Sequence, residues 1–247
     1  MIMRKEENSI ILEPGDKLYR YDLGEKLDTE WLTDYSSPEY ISPKYGRKNT
    51  IGAFFYFNDR TVAIQTLAQA IYNQRELGNI YDCGTITQCE VLNEIFLLDL
   101  STGLYRCSNI ISVLCDLGID VITEQFFNYQ KELPHLVLKD ATINLFSNNK
   151  QIAQDAANEI DQFFLNRINL LGQSLTDFGN GQPFRDMLIS MHFEGYVFWE
   201  NPVSDTYCLF SPNKVSSPIH KVLTIESDEN LQELIEGIER RAKQGKY

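Results

Sequence analysis

Short apolar runs alternate with amphipathic stretches along this chain, and the two periods separate strands from helices. Ala53 to Phe57 is a continuous, largely aromatic run that ends in Asn58-Asp59. It predicts a buried strand followed by a helix, because an Asp59 side chain can accept from the first free N–H groups of that helix. The helix is expected from about Arg60 to Glu76, with Ile64, Leu67, Ala68 and Ile71 on its apolar stripe and Gln65 and Gln69 on a neighbouring face. Val91 to Leu100 predicts a strand ending at Asp99, and Asn109 to Leu117 a short helix stopped by Gly118. Gln151 to Leu171 predicts the longest helix, with Ile152, Ala156, Ile160, Phe163 and Phe164 on its buried side. A polar loop is expected over 172–183 and a short helix near Phe184–Ser190. Two strands, Gly195–Trp199 and Thr206–Phe210, are separated by a polar turn over Glu200–Asp205. Ser227 to Lys246 predicts an amphipathic helix with Leu231, Leu234, Ile235 and Ile238 inward, acids leading and bases trailing. Residues 13–50 read as irregular. Strands and helices mix without regular βαβ alternation, which points to the α+β class.

Composition narrows the function. Lys and Arg number 22 against 35 Asp and Glu, a net charge of −13. That balance argues against an extended nucleic-acid surface, because it would repel phosphate. Hydrophobic residues at 43% are too many for a disordered chain. No window approaches a membrane-spanning length of apolar residues. Met1 to Asn8 is polar and charged with no apolar run behind it, so no secretory signal is expected. Cys83, Cys89, Cys107, Cys115 and Cys208 are odd in number and match no disulfide or zinc spacing. Reduced thiols in a cytoplasmic protein are the simplest reading.

Several common catalytic signatures are absent: a phosphate loop, a dinucleotide Gly-x-Gly-x-x-Gly, a Gly-x-Ser-x-Gly elbow, and the paired Cys or His of a zinc site. His135, His192 and His220 stand alone and read as ordinary surface or core histidines. Three segments look unlike plain scaffold. Leu18-Tyr19-Arg20-Tyr21 places an Arg between two aromatics. Such an Arg either lies over the tyrosines at the surface or is held by stacking with its fork offered to a phosphate. Lys44, Arg47 and Lys48 cluster in a Gly-bracketed loop before the aromatic strand, a candidate anion cradle in an acidic protein. Glu194-Gly195-Tyr196-Val197-Phe198-Trp199-Glu200 brings a carboxylate to the end of a buried strand, where the backbone can fix its direction.

In this order the segments resemble the RES family, named for its Arg, Glu and Ser. The family's early Tyr-Arg looks like Tyr19-Arg20. Its Gly-Arg-Trp-Asn-x-x-Gly looks like Gly46-Arg47-Lys48-Asn49-Thr50-Ile51-Gly52, followed by a strand with Tyr56 and a helix. Its later aspartate-Gly-Ile-x-Tyr-x-Ser is similar to Glu194 through Glu200, with Tyr207-Cys208-Leu209-Phe210 after it, and Leu98-Asp99-Leu100-Ser101 is similar to a mid-chain Leu-Asp-Leu-Thr. The resemblance implies an ADP-ribosyltransferase-like fold: one domain over 1–225 with a mostly antiparallel split sheet and flanking helices, and a helix over 226–247 packed on it. It implies NAD as substrate with no metal, and NAD-binding contacts from Arg20, Arg47, Asn49, Tyr56 and Ser204. Some members are toxins, which implies an antitoxin or other protein partner. The sequence departs from the family where its Glu falls near Gln65 and its Ser aligns with Glu200, Ser204 lying further on. The catalytic set carried over is therefore Arg20, Gln65 and Glu200.

Cleavage of NAD breaks a bond between ribose and a cationic ring through an oxocarbenium-like transition state. Arg20 and Arg47 would orient the diphosphate. Tyr56 would hold the cationic ring. Glu200 would bond the ribose hydroxyl and stabilise developing charge. Two alternatives stand beside this reading. One is a catalytically silent nucleotide- or protein-binding chain, which the Gln65 departure favours. The other pairs Glu194 with Glu200 as acid and base, but an extended strand sets them about 20 Å apart, too far to cooperate.

Overall fold

A computed structural model describes residues 4–6, 9–31, 53–99, 108, 111–112, 115, 135–164, 182–201, 204–225 and 228–243. In chain order the strands are β1 (Arg4–Glu6), β2 (Ser9–Leu12), β3 (Lys17–Leu23), β4 (Phe54–Tyr56), β5 (Cys83–Glu90), β6 (Ile95–Asp99), β7 (Gly195–Asn201), β8 (Ser204–Leu209) and β9 (Ile219–Thr224). The helices are α1 (Arg60–Glu76), α2 (His135–Leu145), α3 (Lys150–Phe164), α4 (Gln182–Ser190) and α5 (Asp228–Lys243). They build an α+β fold with two sheets, one ordered β1-β2-β6-β7-β8-β4 and one ordered β3-β5-β9. Neighbours are antiparallel except β6 and β7, which run parallel.

The sheets face each other across one apolar layer. Ile10, Leu12, Tyr56, Leu97, Val197, Tyr207 and Leu209 come from the larger sheet, and Leu18 and Cys89 from the smaller. At one corner the sheets touch. Tyr19 and Phe57 exchange backbone hydrogen bonds of 2.8 and 2.6 Å. Continuing that antiparallel register sets Arg20 beside Tyr56.

Period-2 alternation then sorts β3 into two faces. Leu18, Arg20 and Asp22 point inward and are buried. Tyr19, Tyr21 and Leu23 point outward and pack with Val62, Ala63, Leu67, Ala68 and Ile71 of α1 and Leu231 of α5. Tyr21 stacks on Phe57 at 6.3 Å. The α1 cap forms as the sequence predicts, with the Thr61 N–H donating to Asp59 at 2.6 Å. On the outer face of the larger sheet, Tyr196, Phe198 and Phe210 cluster, and the Arg185 guanidinium of α4 lies 5.4 Å from the Phe210 ring centre.

Several expected boundaries move. Lys17–Leu23 is a strand rather than irregular chain, and β2, β5, β9 and α2 are elements the apolar periodicity does not announce. Val91 to Glu94 lies outside β6, which begins at Ile95. The polar turn shrinks, because β7 extends through Asn201 and β8 begins at Ser204, leaving 202–203 between them. Strand pairing outweighs the turn-forming tendency of Asn201 and Ser204, with a bulge between Trp199 and Asn201 absorbing the mismatch. The 150–164 helix buries Ala156 and Ile160, but Ile152 is exposed because it lies in the first turn, beyond the packed part of the helix. The short helix begins at Gln182 rather than Phe184. Ser108, Ile111, Ser112 and Cys115 are helical, while 116–117 and 165–171 lie outside the described residues.

Candidate functional site

The inner face of the three-stranded sheet is polar at its centre. Arg20 is 5% exposed and Asp22 fully buried. Their strand partners on β5, Thr87 and Thr85, are fully buried as well. The partner of Thr87 on β9 is His220. Arg20 Nη2 donates to Asp22 Oδ1 at 3.0 Å. Thr87 Oγ1 lies 3.5 Å from Asp22 Oδ2 and 2.8 Å from His220 Nδ1. His220 Nε2 lies 2.6 Å from the Asp28 carbonyl oxygen. A carbonyl only accepts, so Nε2 carries the hydrogen. The result is a continuous polar row across all three strands.

The segment after β3 crosses the end of this row. Gly24 turns the chain at a φ of 72°. Thr85 Oγ1 donates to the Gly24 carbonyl at 2.8 Å and accepts from the Lys26 N–H at 2.9 Å. Trp31 donates through Nε1 to the Ser216 carbonyl at 2.9 Å and sets its ring edge-on to Phe54 and Tyr56.

Tyr56 joins the row from β4. It is fully buried, and its hydroxyl has no hydrogen-bond partner among the described residues. Burial pushes its pKa well above the usual tyrosine value, with the Arg20 charge opposing. The Cys89 thiol is pushed up to about 12 by burial, again opposed by Arg20. Both groups hold their protons at neutral pH, so Cys89 is a packed thiol and not a nucleophile.

The structure brings Arg20 and Tyr56 together and leaves the other described candidates apart from them. Gln65 is buried on α1, on the far side of the three-stranded sheet from Arg20. A Cβ at Gly237 of α5 would overlap its amide nitrogen, and its Oε1 has no partner among the described residues. Gln65 therefore serves the α1–α5 contact. Ser204 is buried, donates to the Asp205 carbonyl at 3.0 Å, and lies with Thr206 and Cys208 on the face of β8 away from Tyr207. Glu200 sits in β7 next to the bulge, and its side chain lies outside the described residues. Lys44, Arg47, Lys48 and Asn49 also lie outside them. Glu194 is engaged elsewhere, accepting from Lys214 at 2.8 Å and from the Phe96 N–H at 3.3 Å.

Arg20 fits neither sequence expectation. It is no surface residue, and alternation carries Tyr19 and Tyr21 to the opposite face, so its fork pairs with Asp22 and not with these two tyrosines. Asp22, Thr87 and His220 were not singled out by sequence. Their signal is the alternation Leu18-Arg20-Asp22 against Tyr19-Tyr21-Leu23, which marks a strand with one apolar face and one mixed face. Among the described residues no three His, Cys, Asp or Glu side chains gather as metal ligands do. Among them, too, no helix is long and apolar enough to cross a membrane. Comparison with family models, with curated proteins and with solved structures finds no match to this chain.

Proposed function

We propose that this chain binds NAD between its two sheets and cleaves the nicotinamide–ribose bond. The observation that carries the reading is the Arg20–Asp22 pair beside Tyr56, a guanidinium and a hydroxyl without a hydrogen-bond partner among the described residues, both set into the layer between the sheets. The resemblance of the ordered Tyr-Arg, Gly-Arg-x-Asn and strand-end carboxylate segments to the RES family supports it. In this reading the fold is ADP-ribosyltransferase-like and the protein is cytoplasmic. Cys83, Cys89, Cys115 and Cys208, which form no disulfide with one another, fit that compartment.

The chemistry asks three things of the chain. Arg20, with Arg47, holds the diphosphate. Tyr56 and the neighbouring Trp31 supply aromatic faces for the cationic ring. Trp31 meets Tyr56 edge-on and Tyr56 is fully buried, so entry of the ring requires side chains around Tyr56 to move. Glu200 bonds the ribose hydroxyl and offsets positive charge as the bond opens. The C1′–N bond breaks with its electron pair leaving on nicotinamide. The oxygen of water, phosphate or another acceptor then adds at C1′ and gives up its proton. This reading gives no role to Gln65 or Ser204, which lie on faces away from Arg20 and Tyr56.

The place of Gln65 against Gly237 favours a second reading, a nucleotide- or protein-binding chain without turnover. An antitoxin or other protein partner belongs to either reading. The test is nicotinamide release from NAD, followed by chromatography with and without phosphate, beside Glu200→Gln. The proposal expects release that falls about 10²–10³-fold in the variant. Equal release in both proteins would remove Glu200 from the mechanism. No release from a folded protein that binds NAD would select the second reading.

A further inference from the structure

A threonine hydroxyl has one hydrogen to give. Thr87 Oγ1 faces two groups that can accept it, His220 Nδ1 at 2.8 Å and Asp22 Oδ2 at 3.5 Å. The Asp28 carbonyl fixes the hydrogen of a neutral His220 ring on Nε2. Nδ1 is then an acceptor, and the short contact takes the Thr87 hydrogen. The long contact to Asp22, at the outer limit of a hydrogen bond, is left without one. Protonation of His220 reverses the row. Nδ1–H must now donate to Thr87 Oγ1, and the hydroxyl hydrogen can only turn to Asp22. No atom has to move far, since the three groups lie side by side on paired strands.

We infer that His220 and Thr87 are positioning residues for the Arg20–Asp22 pair, and that the charge on His220 decides whether Asp22 accepts from Arg20 alone or from Arg20 and Thr87 together. The charged and titratable groups around the row, among the described residues, are Arg20 and Asp22 on β3, Tyr56 on β4, Cys89 on β5, and Lys26 and Asp28 on the crossing segment. Tyr56 and Cys89 hold their protons through burial. Lys221 follows His220 on β9 and so belongs to the other face. Arg20 bonds Oδ1 and Thr87 would bond Oδ2, so protonating His220 keeps the Arg20 bond, gives the spare Asp22 oxygen a donor and adds one positive charge to the row. A donor on Asp22 and the added charge both favour an anion at Arg20. This consequence for ligand binding rests on the proposed nucleotide site, whereas the hydrogen-bond reversal does not.

The test has two arms. In the first, the pH at which the His220 ring protonates is read by nitrogen-15 NMR in the full-length wild type, Thr87→Val and Thr87→Ser. Valine keeps the shape and leaves the protonated Nδ1–H without its Thr87 acceptor, so the midpoint in Thr87→Val should fall below that of wild type. Serine keeps the hydroxyl and should restore the wild-type midpoint. The same midpoint in all three proteins would overturn the inference. In the second arm, ADP-ribose binding is measured by calorimetry at about pH 5 and about pH 8, either side of the histidine range. Wild type should bind about 5–10-fold more tightly at the acid end. His220→Gln, which keeps one donor and one acceptor, should bind equally at both. A pH dependence that survives in His220→Gln would overturn the coupling. If ADP-ribose binds at neither pH, the nucleotide reading fails, and the ring titration alone decides the relay.

Discussion

Arg20 shows how one side chain can be read correctly as unusual and incorrectly as to why. Its tyrosine neighbours suggested stacking, but a strand sends adjacent residues to opposite faces, and the partner is Asp22 two positions on. Removing one member of a buried ion pair leaves the other charge without compensation. Arg20→Ala should therefore lose about 3–5 kcal/mol of stability in urea unfolding. The double replacement Arg20→Met with Asp22→Leu should recover most of that loss. Activity missing from Arg20→Ala would thus report unfolding, which makes it a poor test of catalysis. Tyr56 behaves in the opposite way. Its buried hydroxyl has no partner among the described residues, so Tyr56→Phe removes an unmet polar group. The variant should be as stable as wild type or more stable, by up to about 1–3 kcal/mol. A clear loss of stability in thermal unfolding would show that the hydroxyl is bonded in solution.

Whether an element shows in the sequence depends on how uniform its buried face is. β4, β7, β8 and α5 carry apolar residues at the strand or helix period, and that periodicity finds them, while α1 shows through its Asp59 cap and Leu67, Ala68 and Ile71 although it also buries Gln65 and Gln74. β3, β5 and β9 are hidden because their inner faces carry Arg20, Asp22, Thr85, Thr87 and His220, which break the apolar alternation. The residues that make the site interesting are the ones that conceal the strands bearing it. Three of the described glycines mark where elements approach too closely for a side chain: Gly84 against Leu67, Gly195 and Gly237. A Cβ at Gly195 would overlap the Cys208 carbonyl across the β7–β8 pair, so Gly195→Ala should cost at least the upper part of about 1–3 kcal/mol. At Gly237 the obstacle is the Gln65 amide instead. Gly237→Ala should destabilise on its own. It should turn stabilising in a Gln65→Ala background, where the helix gains up to about 1 kcal/mol of propensity and meets no obstacle. Urea midpoints of the four proteins in that cycle measure the coupling.

For the molecule as a whole, burial of ionisable groups between and behind the sheets sets the response to alkali. Burial raises the Cys89 thiol to about 12 and pushes Cys208 and Tyr56 upward too. An acid whose folded pKa is raised gives stability that is complete below its unfolded pKa and is lost as pH climbs toward the folded value. The unfolded thiols ionise near 9.0. Stability should hold up to about pH 8 and then fall by roughly 1.4 kcal/mol per pH unit for each buried thiol. Replacing Cys89 and Cys208 by Ala should flatten the slope of unfolding free energy against pH above that point.

At this scale the fold class was readable from the mixed order of strands and helices, but the pairing of two sheets around a polar row was not. That arrangement rests on contacts between residues far apart in sequence, such as Arg20 with Tyr56 and Thr87 with His220, which local patterns do not encode. The most direct test of the central claim is a nitrogen-15 NMR titration of the assigned protein with NAD. The account predicts that the largest shifts fall on Arg20, Asp22, Trp31, Tyr56, Thr87 and His220, the inner face of β3, β5 and β9 with its crossing segment. Saturating NAD that leaves those signals unmoved, or that shifts only residues on the α1–α5 side, would contradict it.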